Sequence, residues 1–504
     1  MFYLSISLEY LDLSNFNTEK SEDMSYMFFN CRKLQNLNLT NFSTNKVKNM
    51  NSMFWNCASI TSINLSSFNT SKVENMAKIF SHCKSLTNLE LSNFNTESVL
   101  SMEEMFSSCT SLTSLNLLNF NTKKVKNMKK MFYECNNLIS LDLSSFDTRE
   151  TQEMSNMFNN CKKLSYLNIN SFDTNKIISL ENMFSNCISL TSIDISKFDT
   201  NNVLNMNNLF KNCYSLIKID VSKFNTSKVL SMSSMFENCT LLERIDCDIF
   251  DTSRVTTLEK MFYRCSSLTY LNISNFDTKQ VKSMTNMFSG CVSLENLDLK
   301  NFEGNNLKNM SSMFLNCHKL TSINLSKLNA KNISNMNYIF QNCYSLKFLD
   351  ISKIVTDETK YFMSVFENCI SLEKLNLTNF NTGKAIHMKK IFSNCYSLTS
   401  IELSNFKTNN VINMESMFYN CSSLENINLT NFSTKSVLRM DYMFFSCSKL
   451  KYLNIETFNT LKCISLNNIF GNCEGLELYL NPEITRNLLD NIPDNIIINN
   501  ITSK

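Results

Sequence analysis

The sequence predicts an α/β solenoid, and three observations lead to that fold class. A cysteine recurs every 26 residues in one register, from Cys31 to Cys473. No insertion or deletion interrupts this array. A fixed period of this length is typical of solenoids, in which each repeat is one supersecondary unit stacked on its neighbours. Inside each repeat, the apolar residues first alternate and then recur at helical spacing, which predicts a strand followed by a short helix.

The strand lies in the first half of the repeat. Residues 31–56 show the whole pattern, CRKLQNLNLTNFSTNKVKNMNSMFWN. Leu37 and Leu39 alternate with polar residues, which predicts a short strand with one buried face. Together with Leu34 they match the leucine-rich-repeat spacing, and Phe42 is expected to fill the turn that leaves the strand.

The second half of the repeat predicts a helix of two to three turns. One face of that helix would carry Val47, Met50, Met53 and Phe54. Thr44 precedes these residues and suits the helix N-cap, and Asn56 suits the left-handed residue that ends a helix. We therefore expect a right-handed leucine-rich-repeat solenoid with a parallel sheet on the inner face and short helices on the outer face.

The repeat also sets the domain organisation. Residues 1–480 predict a solenoid of about eighteen 26-residue repeats, and residues 481–504 predict a C-terminal cap and a short tail. The only two prolines, Pro482 and Pro493, stand in this last segment. Met1 falls in the middle of a repeat, so we expect the N-terminus to be truncated.

Composition argues against several classes of function. The charged fraction is 18% and the net charge is +3, which gives no polybasic surface for nucleic acid. No run approaches the about 18 apolar residues of a membrane span, so direct membrane insertion is not expected. No catalytic triad, metal-ligand cluster or phosphate loop is recognisable, so we expect neither an enzyme nor a bound cofactor or metal.

The cysteine array is interpreted as packing. Two cysteines outside the register, Cys247 and Cys463, occupy places that aliphatic core residues hold in other repeats, as a buried thiol would. Disulfides or a metal site along the file remain alternatives, although parallel Cβ vectors and non-converging thiols fit both poorly. Residues representing the predicted structural core are Cys57, Cys239, Phe54, Phe236 and Thr44.

The outward strand face offers the candidate binding residues. The position between the two strand leucines is Asn, Asp or Glu in all eighteen repeats, so a partner would have to be specified by interruptions of the ladders. A charged cluster and scattered aromatic residues interrupt them: Asp194, Lys218, Asp220, Arg244, Asp246, Asp248, Tyr166, Tyr270 and Phe348. For the charged cluster, a local salt-bridged network, cation binding and a protein contact remain alternatives.

Residues 232–255, MSSMFENCTLLERIDCDIFDTSRV, and 416–437, SMFYNCSSLENINLTNFSTKSV, resemble the BspA-like leucine-rich-repeat surface proteins, in the branch with 26-residue repeats. The resemblance extends from residue 1 to about residue 480. It implies a cell-surface or secreted protein used in adhesion to host or matrix proteins or to other cells. It brings no catalytic residues.

We therefore expect a non-enzymatic binding or adhesion protein whose exposed sheet face contacts other proteins or surface polymers. The alternative is a cytoplasmic scaffold for protein–protein interactions.

Overall fold

The computed structural model describes residues 1–500, which form two compact units. The first unit is Met1–Phe250, and the second begins at Asp251. Each unit is a stack of coils of one repeat each. Bridged residues in neighbouring coils are generally 26 positions apart, as in the pair Leu11 and Leu37. This register confirms the predicted solenoid with parallel inner strands.

The first unit contains five short strands: β1 (Tyr10–Asp12), β2 (Asn36–Asn38), β3 (Ser140–Asp142), β4 (Tyr166–Asn168) and β5 (Arg244–Asp246). Strand β1 pairs in parallel with β2, and β3 with β4. The remaining coils stack through backbone hydrogen bonds at equivalent positions. One example is the bond from Ile217 N to Thr191 O, at 3.1 Å.

The second unit contains ten strands and a helix. The strands are β6 (Tyr270–Asn272), β7 (Asn296–Leu297), β8 (Ser322–Ile323), β9 (Phe348–Asp350), β10 (Lys374–Asn376), β11 (Ser400–Ile401), β12 (Asn426–Ile427), β13 (Tyr452–Asn454), β14 (Glu477–Leu480) and β15 (Ile497–Asn500). Helix α1 spans Pro482–Leu489. Parallel pairs join β7 to β8, β9 to β10, and β11 to β12. Strand β14 pairs in parallel with β13 on one side and with β15 on the other.

The outer segment of the repeat differs from the predicted short helix, because it consists of successive tight turns. Ser52 and Asn56 have left-handed backbones, with φ of 56° and 57°. The N–H of Met53 donates to Met50 O at 3.2 Å, whereas the N–H of Phe54 donates to Ile79 O in the next coil at 2.9 Å. Alternate amides therefore bond along the stack, and an α-helix cannot continue through them.

Coil spacing explains why turns replace the helices. Parallel strands lie about 4.8 Å apart, whereas packed helices need about 8–10 Å between their axes. Turns stack at the strand spacing, and they still direct Val47, Met50 and Phe54 into the core. Within residues 1–500, α1 is the only α-helix.

Threonine at the predicted helix N-cap instead joins neighbouring coils. The Thr44 hydroxyl donates to Asn69 O at 2.8 Å and accepts from Asn69 N at 2.7 Å. Thr200 makes the same two bonds to Asn225, at 2.8 and 2.7 Å. We call this two-bond arrangement the threonine clamp. The threonine side chain is buried, and each clamp satisfies a partly buried carbonyl and amide of the next coil.

Stacked aromatic rings fill the centre of each coil. Phe54 and Phe80 lie 5.8 Å apart between centroids, with an angle of 2° between their planes. Phe236 continues the first unit's stack, at 5.7 Å from Phe210. Phe54 and Phe236 are both fully buried. The phenylalanines that were predicted to lie in the core, such as Phe54 and Phe236, thus belong to a continuous column of offset rings in each unit.

The C-terminal segment lengthens the sheet of the second unit. Asn481 caps α1 by accepting from Glu483 N at 3.0 Å, and Pro482 occupies the first turn. Strand β15 then pairs with β14, in register from Ile497 against Glu477. The predicted cap and tail, residues 481–504, therefore contain a helix and a strand up to residue 500, and residues 501–504 lie outside the described residues.

We expect Thr200→Val to lower the free energy of unfolding by about 1–3 kcal/mol, because Asn225 loses two partly buried hydrogen bonds with little change in side-chain volume. Urea denaturation followed by circular dichroism measures this loss. Thr113→Val is the control, since Thr113 is exposed, and should change the value by less than about 0.5 kcal/mol. Equal losses in both variants would contradict the clamp.

Candidate functional site

The exposed strand face presents one variable side chain per coil, at the first position of the strand. Tyr166 and Phe348 occupy this position with 56% and 54% of their surfaces exposed, and Tyr270 is exposed at 38%. Lys218 and Arg244 occupy it on two adjacent coils and are also exposed. The second strand position points into the core, as Leu167 does. This alternation places five of the predicted residues on the outward face.

The third strand position closes the turn that follows the strand. The Asn64 side-chain oxygen accepts from Ser66 N at 3.1 Å, and Asp142 accepts from Ser144 N at 2.9 Å. The same bond is made by Asp12, Asn38, Asn116, Asn168, Asn272, Asp298, Asn324, Asp350, Asn376, Asn428 and Asn454. Asn and Asp recur here because their short side chains reach the amide two residues on.

Three acids of the charged cluster take part in this turn ladder. Asp194 accepts from Ser196 N at 3.0 Å, Asp220 from Ser222 N at 2.9 Å, and Asp246 from Asp248 N at 3.1 Å. The backbone N–H and the hydroxyl of Ser196 hold the pKa of Asp194 below its usual range. The hydroxyl and N–H of Ser222 do the same for Asp220.

The structure brings together only part of the predicted site. Asp194, Lys218 and Asp220 lie on two neighbouring coils of the first unit. Arg244, Asp246 and the half-buried Asp248 lie on the next coil. Tyr166 belongs to the coil before Asp194. Tyr270 and Phe348 lie in the second unit, three coils apart, and so form no shared aromatic patch with each other.

Every cysteine in the chain is a free thiol in this structure, and those of the ladder are buried. The Cys57 thiol donates to Phe28 O at 3.2 Å, and Cys239 donates to Phe210 O at 3.2 Å. The ladder therefore supplies a weak donor for the phenylalanine carbonyl of the preceding coil, a role that composition alone did not reveal. Burial raises the pKa of Cys83 and Cys135 to about 12.

Sequence reasoning missed a groove in the second unit. It has a volume of about 530 Å³ and is lined by Lys327, Lys353, Asn329, Val355 and other residues. Its lining residues lie on four neighbouring coils, so the groove depends on contacts between coils, which a single repeat does not show.

Residues 1–500 contain neither a membrane-spanning helix nor a metal-binding group of side chains. No helix in residues 1–500 is both long and apolar enough to cross a membrane. Over the same residues, no three side chains of His, Cys, Asp or Glu are grouped so that they could hold a metal ion.

The sequence matches a family model described as "Mycoplasma protein of unknown function, DUF285" in overlapping segments along most of its length: residues 1–63, 56–167, 152–246, 241–348, 317–425 and 388–487. The chain belongs to this family. The matched segments contain both the strand-face cluster and the groove. No curated protein matches the sequence.

Several solved leucine-rich-repeat structures are similar to this chain over long segments. A leucine-rich repeat protein from Eubacterium ventriosum is 13% identical, with 70% of this chain and 87% of that chain covered and a TM-score of 0.29. A leucine-rich-repeat protein from Leptospira interrogans is 14% identical, with 97% of this chain and 95% of that chain covered and a TM-score of 0.21. The functional domain of InlJ from Listeria monocytogenes, which "includes a cysteine ladder", is 17% identical, with 84% of this chain and 74% of that chain covered and a TM-score of 0.19. At these TM-scores the similarities carry no argument about function.

We expect the ladder thiols to resist alkylation in the folded protein, because burial leaves almost no thiolate at pH 8. Iodoacetamide labelling with peptide mass spectrometry should modify the half-buried Cys463 first, whose pKa burial raises to about 11. Cys83 and Cys135 should react only after unfolding. Labelling of these two at the rate of Cys463 in the folded protein would contradict their burial.

Asp194→Asn/Asp220→Asn should lose less folded stability at pH 7 than Asp194→Ala/Asp220→Ala, because asparagine lacks the charge but still accepts from the turn amide. The Ala variant should lose about 1–2 kcal/mol, because two turn amides lose their acceptor. The lowered pKa values mean that the carboxylates stabilise the fold above pH 4 and lose this contribution as the pH falls below it. Urea denaturation at pH 7 and pH 3 should therefore show a smaller acid loss in the Asn variant than in the wild type. Equal destabilisation by Asn and Ala at pH 7 would contradict the turn assignment.

Proposed function

We propose that this protein is a non-enzymatic binding protein of the BspA-like class, acting at the cell surface or in secreted form in adhesion. The exposed strand face of a unit would contact another protein or a surface polymer. One observation carries the proposal. The first strand position is exposed on successive coils and free to vary, while the second strand position is committed to the core and the third to a turn.

In the first unit this position reads Tyr166, Ser192, Lys218 and Arg244 along four neighbouring coils. An aromatic ring and two cations in one file are residue types that are frequent at protein contacts. The carboxylates of Asp194, Asp220 and Asp246 lie beside the cations. A partner with acidic and apolar groups would contact this row of first-position side chains. Repeated weak contacts along the stack would raise the avidity of binding.

A triple variant, Tyr166→Ser/Lys218→Ser/Arg244→Ser, tests this surface. Serine stands at this position in other coils, including Ser140 and Ser192, so the substitutions should leave the fold intact. Biolayer interferometry on immobilised matrix proteins and bacterial cell-wall polymers provides the probes. We expect the full chain to bind at least one probe, and the triple variant to bind it at least tenfold more weakly.

The matched control is Lys129→Ser/Lys130→Ser on the outer turns, where Ser233 and Ser234 occupy the equivalent positions of another coil. It should bind as the wild type does. Failure of the wild type to bind any probe, or equal losses in both variants, would overturn the proposed use of the strand face.

A further inference from the structure

The threonine clamp is interrupted on two successive coils of the second unit. Gly304 and Ala330 stand where threonine stands in the other repeats. A Cβ placed on Gly304 would lie 2.7 Å from the Ala330 Cβ, so the two coils approach too closely for a side chain there. In the same region, Leu328 and Ile354 replace the phenylalanine of the turn.

The backbone adjusts to the missing hydroxyls. In the clamped coils, the residue facing the threonine donates its N–H to the hydroxyl oxygen, and its carbonyl accepts from the hydroxyl. Here the N–H of Asn329 donates to Lys327 O at 2.7 Å, and that of Val355 donates to Ala330 O at 2.9 Å. The carbonyls of Asn329 and Val355 have no threonine hydroxyl to accept from, and both residues line the groove.

The groove continues onto the strand face. Ser326 and Lys353 line both the groove and an adjoining depression of about 330 Å³, which also contains Phe348. The combined lining therefore offers hydroxyl groups, carbonyl oxygens and one exposed aromatic ring. It also offers the Asn379 amide, which already donates one N–H to Ser352 O at 2.6 Å. These groups can bind a ligand that is polar around its edge and apolar on its face.

Two cations stand at equivalent positions of adjacent coils in this lining, Lys327 and Lys353. The Lys327 ammonium donates to Asn301 at 3.4 Å. Among the described residues, neither lysine lies within 4.0 Å of a carboxylate. Both ammonium groups are therefore outside direct ion pairs, and Lys353 is near enough to Asp350 for its charge to act on that carboxylate.

Two carboxylates also line this surface, and each has a partner. Glu303 lies 3.5 Å from Lys279. Asp350 accepts from Ser352 N at 2.9 Å and, although partial burial opposes this, the Ser352 hydrogen bonds and the charge of Lys353 lower its pKa. The carboxylates are thus already engaged by the protein.

We propose that this groove binds an acidic polysaccharide, a chain of uronic-acid rings. Each ring has hydroxyls at its edge for Ser326, Asn379 and the two carbonyls, and a C–H face that can lie against Phe348. Its carboxylate pairs with a lysine. This inference rests on the proposed binding function and names the ligand class for the second unit.

The exposed ring of Phe348 favours a polysaccharide over an acidic peptide, because an aromatic ring can lie against the C–H face of a sugar while the lysines bind its carboxylates.

The first unit supplies a matched control. Lys197 and Lys223 occupy the same repeat position on adjacent coils, next to Asp194 and Asp220, where Lys353 stands next to Asp350. There the clamp is intact: Thr200 bonds Asn225, and Phe198 and Phe224 fill the turns. The two lysine pairs thus share position and charge, whereas Lys218 stands beside the first-unit pair at the repeat position that Phe348 holds in the second unit.

Binding of oligomeric alginate to the full chain, measured by isothermal titration calorimetry at low ionic strength, tests the proposal. We expect Lys327→Gln/Lys353→Gln to weaken binding at least tenfold and Lys197→Gln/Lys223→Gln to change it less than twofold. Phe348→Ser should also weaken alginate binding, and added salt should weaken it for the wild type. Circular dichroism verifies that each variant is folded.

Three outcomes would overturn the proposal: no alginate binding, equal losses from the two lysine pairs, or equally tight binding of polyglutamate that Phe348→Ser leaves unchanged. The last outcome would indicate a general polyanion surface or a peptide site. Failure here is distinct from failure of the strand-face function, because Tyr166→Ser/Lys218→Ser/Arg244→Ser leaves the groove residues in place.

Discussion

Hydrogen bonding from one coil to the next, at a fixed offset in the chain, is the constraint on which the rest of this structure depends. The amide of Phe54 finds its carbonyl 25 residues later, and so does the hydroxyl of Thr44. One inserted residue would displace all of these partners together. The constant repeat length, the stacked rings and the file of thiols all follow from keeping this offset.

The same constraint limits which side chains are free for recognition. Core positions are fixed by packing, the third strand position by its turn amide, and the threonine position by the clamp. Outward residues such as Lys218 can vary because no neighbouring coil depends on them. Variation also appears where a coil lacks its clamp, as at Gly304 and Ala330, and there the two coils approach closely.

Sequence patterns predicted the parts of the fold that rest on local periodicity. Leu37 and Leu39 gave the strand, because alternation has one structural interpretation at that length. The apolar spacing from Val47 to Phe54 did not distinguish a helix from a pair of turns. Both bury the same residues, and the deciding fact is the left-handed backbone of Ser52 and Asn56.

The candidate site was less predictable, because its meaning lies between coils. Asp194 and Asp220 were recognised as outward residues, but their bonds to Ser196 and Ser222 required the turn geometry. The groove is lined by residues of four neighbouring coils, among them Lys327 and Lys353. The sequence of one repeat alone therefore does not show it.

The constant offset also has a consequence for how such a gene can change length. Removal or duplication of a whole 26-residue segment among the clamped coils of the first unit would rejoin Thr, Phe and Cys to chemically identical partners, because each coil contacts mainly its neighbours. Unequal recombination between repeats would thus yield shorter or longer chains in which each hydrogen-bonding group still finds its partner in the next coil. A crossover at Gly304 would instead set threonine against a coil with no room for it. The interrupted clamp thereby marks a point where neighbouring repeats are no longer interchangeable. Whole repeats cannot be removed or added freely there.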